Sequence, residues 1–272
     1  MSRRSIATVV CGLSAAFALA TIEAQAPVRE LSPAEVSLET TGFSAIVLVY
    51  DVGEDSYAAV NADRVDRRLM PASTFKILNS LVALETGVIA DPHTVIEWDG
   101  VVRERTELNR DLDLQTAYRL SAVPHYQELA RRIGAERMQQ FIDAVGYGNR
   151  DISGGIDRFW LAGGLRISPR EQVALLTRLY RGELPFSEKT MAMVREMMVS
   201  ERTADHTIHS KTGWAVLPGA DNVGWWVGWV DREAAVHVFA TALEATAPDE
   251  TFGAAREAVT RSVLEQLGVI ER

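Results

Sequence analysis

Two side chains three positions apart are the first in this sequence that could do chemistry. Ser73 precedes Lys76 in the run Ser73-Thr74-Phe75-Lys76. In a helix that spacing is just under one turn, so the lysine amine can return to the serine hydroxyl. A free serine hydroxyl is a weak nucleophile and needs a neighbouring base. A lysine can be that base when apolar burial lowers its pKa. A helix start adds unpaired N–H groups and the positive end of the helix dipole. Alone, the pattern reads as readily as a solvated serine cap beside an exposed lysine.

The elements around it decide between these readings. Phe75, Ile77, Leu78, Leu81, Val82 and Leu84 mostly recur at three- and four-residue steps, with Pro71-Ala72 ahead and Gly87 behind. That spacing predicts a helix with a buried face. Ser44–Val52 reads as a buried strand with Ser56–Val60 as its hairpin partner. Helical patterns cover the Ala122–Ile133 region, Glu136–Val145, Glu171–Tyr180 and Glu188–Met198. Between them the segment 146–167, rich in Gly, Asp and Ser, reads as a long loop, and such loops are often functional. His206–Trp214, Val223–Asp231 and Ala234–Leu243 read as three hairpin-connected strands, and a last amphipathic helix covers about Thr251 to Leu267. Two early and three late strands predict an α/β fold: a five-stranded antiparallel sheet, flanked by helices from the chain ends, with an inserted helical lobe. A site between the two parts is where ligand pockets tend to occur.

Composition narrows the classes further. The chain has 272 residues, 47% hydrophobic and 24% charged, the make-up of one compact unit. Its net charge of −9 and the lack of any basic run exclude nucleic acid as an expected partner. Arg3 and Arg4 followed by a mostly apolar stretch from Ile6 to Ala20 read as a secretory leader. Cleavage is expected after Ala18-Leu19-Ala20, or as late as residue 26, where Pro27 would follow the cut. The apolar stretch is short for a spanning helix, so no stable membrane anchor is expected. The only cysteine, Cys11, lies in that leader, which leaves a cysteine-free domain over 27–272 stabilised by its core alone. The five histidines show no metal-ligand spacing. His206 and His209 read as structural, and Trp225, Trp226 and Trp229 as sheet packing.

Further fragments turn the serine–lysine pair into a pattern. In chain order they are Pro71-Ala72-Ser73-Thr74-Phe75-Lys76, Ser121-Ala122-Val123-Pro124, Tyr147-Gly148-Asn149, Asp151-Ile152-Ser153-Gly154-Gly155-Ile156-Asp157, Phe159-Trp160-Leu161, His209-Ser210-Lys211-Thr212-Gly213 and Gly224-Trp225-Trp226-Val227-Gly228-Trp229-Val230. Over about residues 40 to 270 the chain resembles the class D, or oxacillinase-type, serine β-lactamases. Class A enzymes carry a related trio of motifs. Their general-base Glu, in a Glu-x-x-Asn pattern between the second and third motifs, is not found, and Trp160 occupies that region.

The resemblance implies a secreted periplasmic hydrolase that opens β-lactams, with Ser73 as nucleophile. It implies that Lys76 reacts with carbon dioxide to give N6-carboxylysine, the general base, held by the Trp160 indole N–H with Val123 and Leu161 as the apolar wall. Ser121 would relay a proton to the departing ring nitrogen, beside the fixed charge of Lys211. Thr212 and Arg256 would bind the substrate carboxylate, Gly213 would allow close approach, and the N–H groups of Ser73 and Trp214 would form the oxyanion hole. Tyr147 and Asn149 look structural. No metal and no cofactor are implied apart from carbon dioxide or bicarbonate, and the protein is expected as a monomer or homodimer. The chain departs from the family at His125, where an apolar residue is usual, and in the link 215–222. Two other readings stay open: a β-lactam-sensing or penicillin-binding domain that is acylated without turnover, and a cell-wall peptidase of the penicillin-binding group.

Overall fold

A strand whose every residue is buried must be covered on both faces, and three strands of this chain meet that condition almost throughout. The computed structural model describes residues 28–32, 43–216, 219–233 and 235–271. The leader, both expected cleavage points and Cys11 lie outside the described residues. Strands β1 (Val28–Glu30), β2 (Ser44–Asp51) and β3 (Ser56–Val60) open the fold. A two-stranded pair, β4 (Val95–Ile96) and β5 (Leu112–Asp113), stands apart from the main sheet. Strands β6 (Val199–Arg202), β7 (Thr207–Ala215), β8 (Asn222–Arg232) and β9 (Ala235–Ala245) complete the main sheet. Its order is β1-β3-β2-β9-β8-β7-β6, antiparallel except for the β1–β3 pair.

The five expected strands are therefore the middle of a seven-stranded sheet. The two additions are edge strands of three and four residues, too short for a period of two to be read in them. Alternation then splits each buried strand between two cores. Ile46, Leu48 and Tyr50 of β2 join Trp225, Val227 and Trp229 of β8 on one side, while Ala45, Val47 and Val49 join Trp226 and Val230 on the other. Continuous apolar runs are what such two-sided burial requires.

Helix α1 (Lys76–Glu85) continues a 3-10 turn, Ala72–Phe75, and is buried at every residue from Lys76 to Leu84. It runs through the helical lobe made by α2 (Leu114–Arg119), α3 (Val123–Ile133), α4 (Ala135–Val145) and α6 (Glu188–Met197), while α5 (Pro169–Arg181) packs on β9, β2 and β8 of the sheet. Helix α5 starts on a capping box between Ser168 and Glu171, with Pro169 in its first turn. The last helix, α7 (Phe252–Gln266), covers the second core with Phe252, Val259, Val263 and Leu264. No described helix is long and apolar enough to cross a membrane.

Where β8 crosses β7, one glycine is a steric requirement. A Cβ on Gly228 would lie 2.0 Å from the carbonyl oxygen of His209. Only backbone movement can relieve such a contact, because the obstructing atom is itself main chain. Gly228→Ala is expected to lower Tm by roughly 5–12 °C, from an over-packing cost of about 2–3 kcal/mol. A thermal melt that coincides with wild type would refute this.

Candidate active site

The turn that carries Ser73 is held from three directions. Ala72 donates its N–H to the carbonyl of Trp160 at 3.1 Å, and the Trp225 indole donates to the Met70 carbonyl at 2.8 Å. Gln172 donates to the Thr74 hydroxyl at 2.8 Å, which in turn donates to the Pro71 carbonyl at 2.8 Å. Ala72 adopts φ 48°, a left-handed conformation that costs a residue with a Cβ about 1–2 kcal/mol. On the sheet side, a Cβ on Gly213 would sit 3.0 Å from the Pro71 carbonyl oxygen. Gly213 thus lets β7 approach the Ser73 turn itself.

Lys76 Nζ donates to Ser73 Oγ at 2.7 Å, and the whole lysine side chain is buried. Burial, and then the charges of Lys211 and Arg105, push this amine well below the ordinary lysine value. Its surroundings are aromatic. The Tyr126 ring lies 5.3 Å from Nζ, and Phe75 stacks on Trp160 with centroids 5.4 Å apart. The Trp160 indole N–H is buried and has no acceptor among the described residues. Leu161, which follows it, and Val123, which opens α3, are both half-buried.

Ser121 stands between α2 and α3 in the left-handed region, φ 53°. Its hydroxyl accepts from Lys211 Nζ at 3.1 Å, and the same amine donates to the Thr212 carbonyl at 2.9 Å. Lys211 is buried, and that burial, with the nearby charges of Arg256 and Arg105, lowers its pKa to about 7. Ser210 of β7 donates its N–H to the Met198 carbonyl just before β6. By the alternation of a strand, Thr212 and Trp214 turn their N–H groups to the same edge, beyond the end of β6. The Trp214 side chain leaves this edge, being 41% exposed, and packs on Phe252 at 5.1 Å. Arg256 of α7 donates through Nη1 to the Gly213 carbonyl at 2.6 Å and lies 5.9 Å from the Trp214 ring. The geometry offers a hydroxyl beside a weakly basic amine, a second hydroxyl beside a second amine, and a free strand edge between them.

Comparison with known proteins agrees with that arrangement. The family model described as penicillin binding protein transpeptidase domain matches residues 44–265. The β-lactamase OXA-48 of Klebsiella pneumoniae is 41% identical over 225 residues, 83% of this chain and 84% of that protein. The crystal structure of the class D β-lactamase YbXI from Nostoc is 42% identical, with a TM-score of 0.81, covering 88% of this chain and 97% of that one. A class D β-lactamase from Sebaldella termitidis superposes with a TM-score of 0.86 at 31% identity, over 90% of this chain and all of the other. The chain belongs to the class D serine β-lactamases.

Within that family frame the remaining motifs sort into supports. Asn149 donates to the Gly164 carbonyl at 2.8 Å and accepts from the Arg166 N–H at 2.8 Å, closing the loop that carries Trp160. Gly148, φ 50°, is required beside it, since a Cβ would lie 1.9 Å from the Arg166 carbonyl oxygen. His209 stacks on Trp229 and bonds the Arg195 carbonyl, and His206 pairs with Glu201. His125 is buried, with Nε2 3.0 Å from the Arg110 carbonyl oxygen, so α3 faces the segment before β5 there. Residues 217 and 218 of the link after β7 lie outside the described residues. Sequence reading missed Tyr118 and Tyr126, whose rings flank the two amines, and Arg105, whose charge acts on both. Tyr126 falls inside the helix expected over the Ala122–Ile133 region, and Arg105 lies in a polar stretch without period.

A buried amine without a counter-charge is a cost to the fold. The unfolded chain takes up a proton at Lys76 below the ordinary lysine value near 10.5, while the folded amine does so only at lower pH. Wild-type stability therefore falls as pH drops through that interval. Lys76→Met, in bicarbonate-free buffer, is expected to raise Tm by about 2–8 °C near neutral pH. The gap should widen from pH 10 downward, and a lower Tm or a pH-independent gap in scanning calorimetry would contradict it.

Proposed function

We propose that the chain hydrolyses β-lactams through an acyl-enzyme on Ser73. The observation that carries this reading is the 2.7 Å contact between Ser73 Oγ and a fully buried Lys76 amine. In the first half-reaction Ser73 Oγ bonds to the lactam carbonyl carbon and gives its proton to the Lys76 side. The N–H groups of Ser73 and Trp214 hold the developing oxyanion. As the ring C–N bond breaks, Ser121, polarised by Lys211, hands a proton to the departing nitrogen and takes up the proton held on the Lys76 side, which frees that base for the second step. In the second half-reaction a water molecule, losing its proton to the Lys76 side, attacks the ester carbon, and Ser73 Oγ leaves and is reprotonated. Thr212 and Arg256 hold the ring carboxylate throughout.

The Lys76 site also suits a carbamate. Only a neutral amine reacts with carbon dioxide, and burial favours that form. The unpartnered Trp160 N–H is a donor waiting for an acceptor, with no acceptor atom of its own to compete. Carbon dioxide held at Nζ would supply an anionic proton acceptor, and Lys76 and Trp160 are the residues that would keep it. A secretory leader at residues 1–20, as the sequence pattern suggests, would carry this activity to the periplasm.

Turnover of a chromogenic cephalosporin by the purified protein tests the reading. Many turnovers are expected, whereas one stoichiometric burst would make the chain an acylated sensor or penicillin-binding domain. Ser73→Ala should give no covalent adduct in intact-protein mass spectrometry, and an adduct on it would remove Ser73 as nucleophile. Bicarbonate should restore the rate lost in degassed buffer, and Trp160→Ala should need much more of it. If neither rate responds, and carbon-13 NMR with labelled bicarbonate shows no lysine carbamate, the proposed base is wrong. Arg256→Ala is expected mainly to raise KM for penicillins by about 10- to 100-fold, the loss of one charge-assisted contact. Unchanged KM across several penicillins would take Arg256 out of the site.

A further inference from the structure

A third cation stands at this cleft, and the reaction has no use for it. Arg105 lies in the irregular segment between β4 and β5. One Nη donates to the Leu120 carbonyl at 2.9 Å, and Leu120 is the neighbour of Ser121. Its Nε donates to Glu107 at 2.9 Å, and the second Nη makes no bond to the described residues. The side chain is 53% exposed. Its bond to the residue beside Ser121 sets it at the cleft, and its charge acts on both buried amines, Lys76 and Lys211.

The segment that presents Arg105 is braced. Asn109 accepts from the Arg103 N–H at 2.9 Å and donates back to its carbonyl at 2.9 Å. Arg103 forms an ion pair with Asp99, Trp98 N–H donates to Asp111 at 2.8 Å, and His125 holds the Arg110 carbonyl from α3. A guanidinium on a fixed backbone, with a free donor and half in water, is preorganised for a carboxylate. Arg256 is bonded to Gly213 on the strand wall, and Arg105 to Leu120 on the Ser121 wall. One arginine therefore serves each wall.

We infer that Arg105 is a specificity residue that binds a second anionic group, a carboxylate on the acyl side chain of a dianionic β-lactam, while Arg256 holds the ring carboxylate. This rests on the β-lactam reading of the site. Glu107 competes for the same guanidinium and sets how much of its charge the substrate meets.

Benzylpenicillin and carbenicillin differ by one carboxylate on the side-chain α-carbon, so their ratio of kcat/KM isolates the contact. Effects on Ser73, on the ring carboxylate or on folding enter both rates and cancel. Arg105→Gln should lower the carbenicillin-to-benzylpenicillin ratio about 3- to 10-fold, between the worth of an exposed ion pair and that of a shielded charge-assisted bond. Arg105→Glu should lower it further, Arg105→Lys should keep most of it, and Glu107→Gln should raise it. Added sodium chloride should erode the ratio in wild type and leave it nearly constant in Arg105→Gln. An unchanged ratio in both Arg105→Gln and Arg105→Glu overturns the inference, as does an equal fall for the two drugs. If wild type turns over neither drug, the hydrolase reading fails. The acylation rates of the two drugs by mass spectrometry then read the same ratio and decide the inference separately.

Discussion

The site depends on a lysine amine kept in an apolar interior without a carboxylate to balance it. Lys76 is fully buried, bonded to Ser73 Oγ and bordered by aromatic rings. A carboxylate partner would fix the proton on the amine and remove it as a base. An exposed amine would keep its proton at neutral pH for the same result. Burial against a hydroxyl is the arrangement that leaves the nitrogen lone pair available. Helix α1 is buried all round because it must supply that environment, its polar Asn79 and Ser80 being bonded to Tyr126, and a helix buried on every side has to run through the middle of a lobe. The position of α1, and the helices stacked around it, follow from the same requirement.

Keeping the amine buried while leaving the hydroxyl reachable demands an abrupt change at the helix start. The chain makes it in the space of Pro71-Ala72-Ser73, with Ala72 forced into the left-handed region. Three residues distant in sequence hold that strained turn, through the Trp160 carbonyl, the Trp225 indole and the Gln172 amide, and Gly213 lets β7 close against it. Ser121 is strained in the same sense on the opposite wall. Both strained residues bear on the hydroxyl–amine pairs, and neither is a glycine. That is where backbone strain tends to be stored when surrounding packing over-determines the geometry.

Much of this was legible in residue order because the elements are long and their periods clean. The expected strand Ser56–Val60 is the observed one, and the helix expected over Glu188–Met198 is Glu188–Met197. The edge strands β1 and β6 were not legible, since three or four residues carry no measurable alternation. The pairing of Ser121 with Lys211 joins residues 90 positions apart and was readable only through family motifs. Arg105 was invisible for a different reason. Its role depends on where a non-periodic loop lands, and that is set by side-chain bonds from Asn109, Asp111 and His125. The departure at His125 was seen in the sequence, but its meaning, a tie to that loop, needed the third dimension.

The cations of the cleft also explain each other. Lys211 and Arg105 make it harder for Lys76 to keep a proton, and Arg256 and Arg105 do the same to Lys211. Burial first, and then the charges of Arg256 and Arg105, lower the Lys211 pKa to about 7. An incoming carboxylate beside Thr212 and Arg256 reverses that balance, because an opposite charge favours the protonated amine. Binding of an anionic ligand should then draw a proton onto Lys211, next to the Ser121 hydroxyl that the proposed mechanism uses to protonate the leaving nitrogen. Lys76 lies deeper and keeps its apolar surroundings. The two lysines start from similar chemistry, and burial depth together with the substrate's own charge would send them to opposite protonation states, one a proton acceptor and the other a fixed cation.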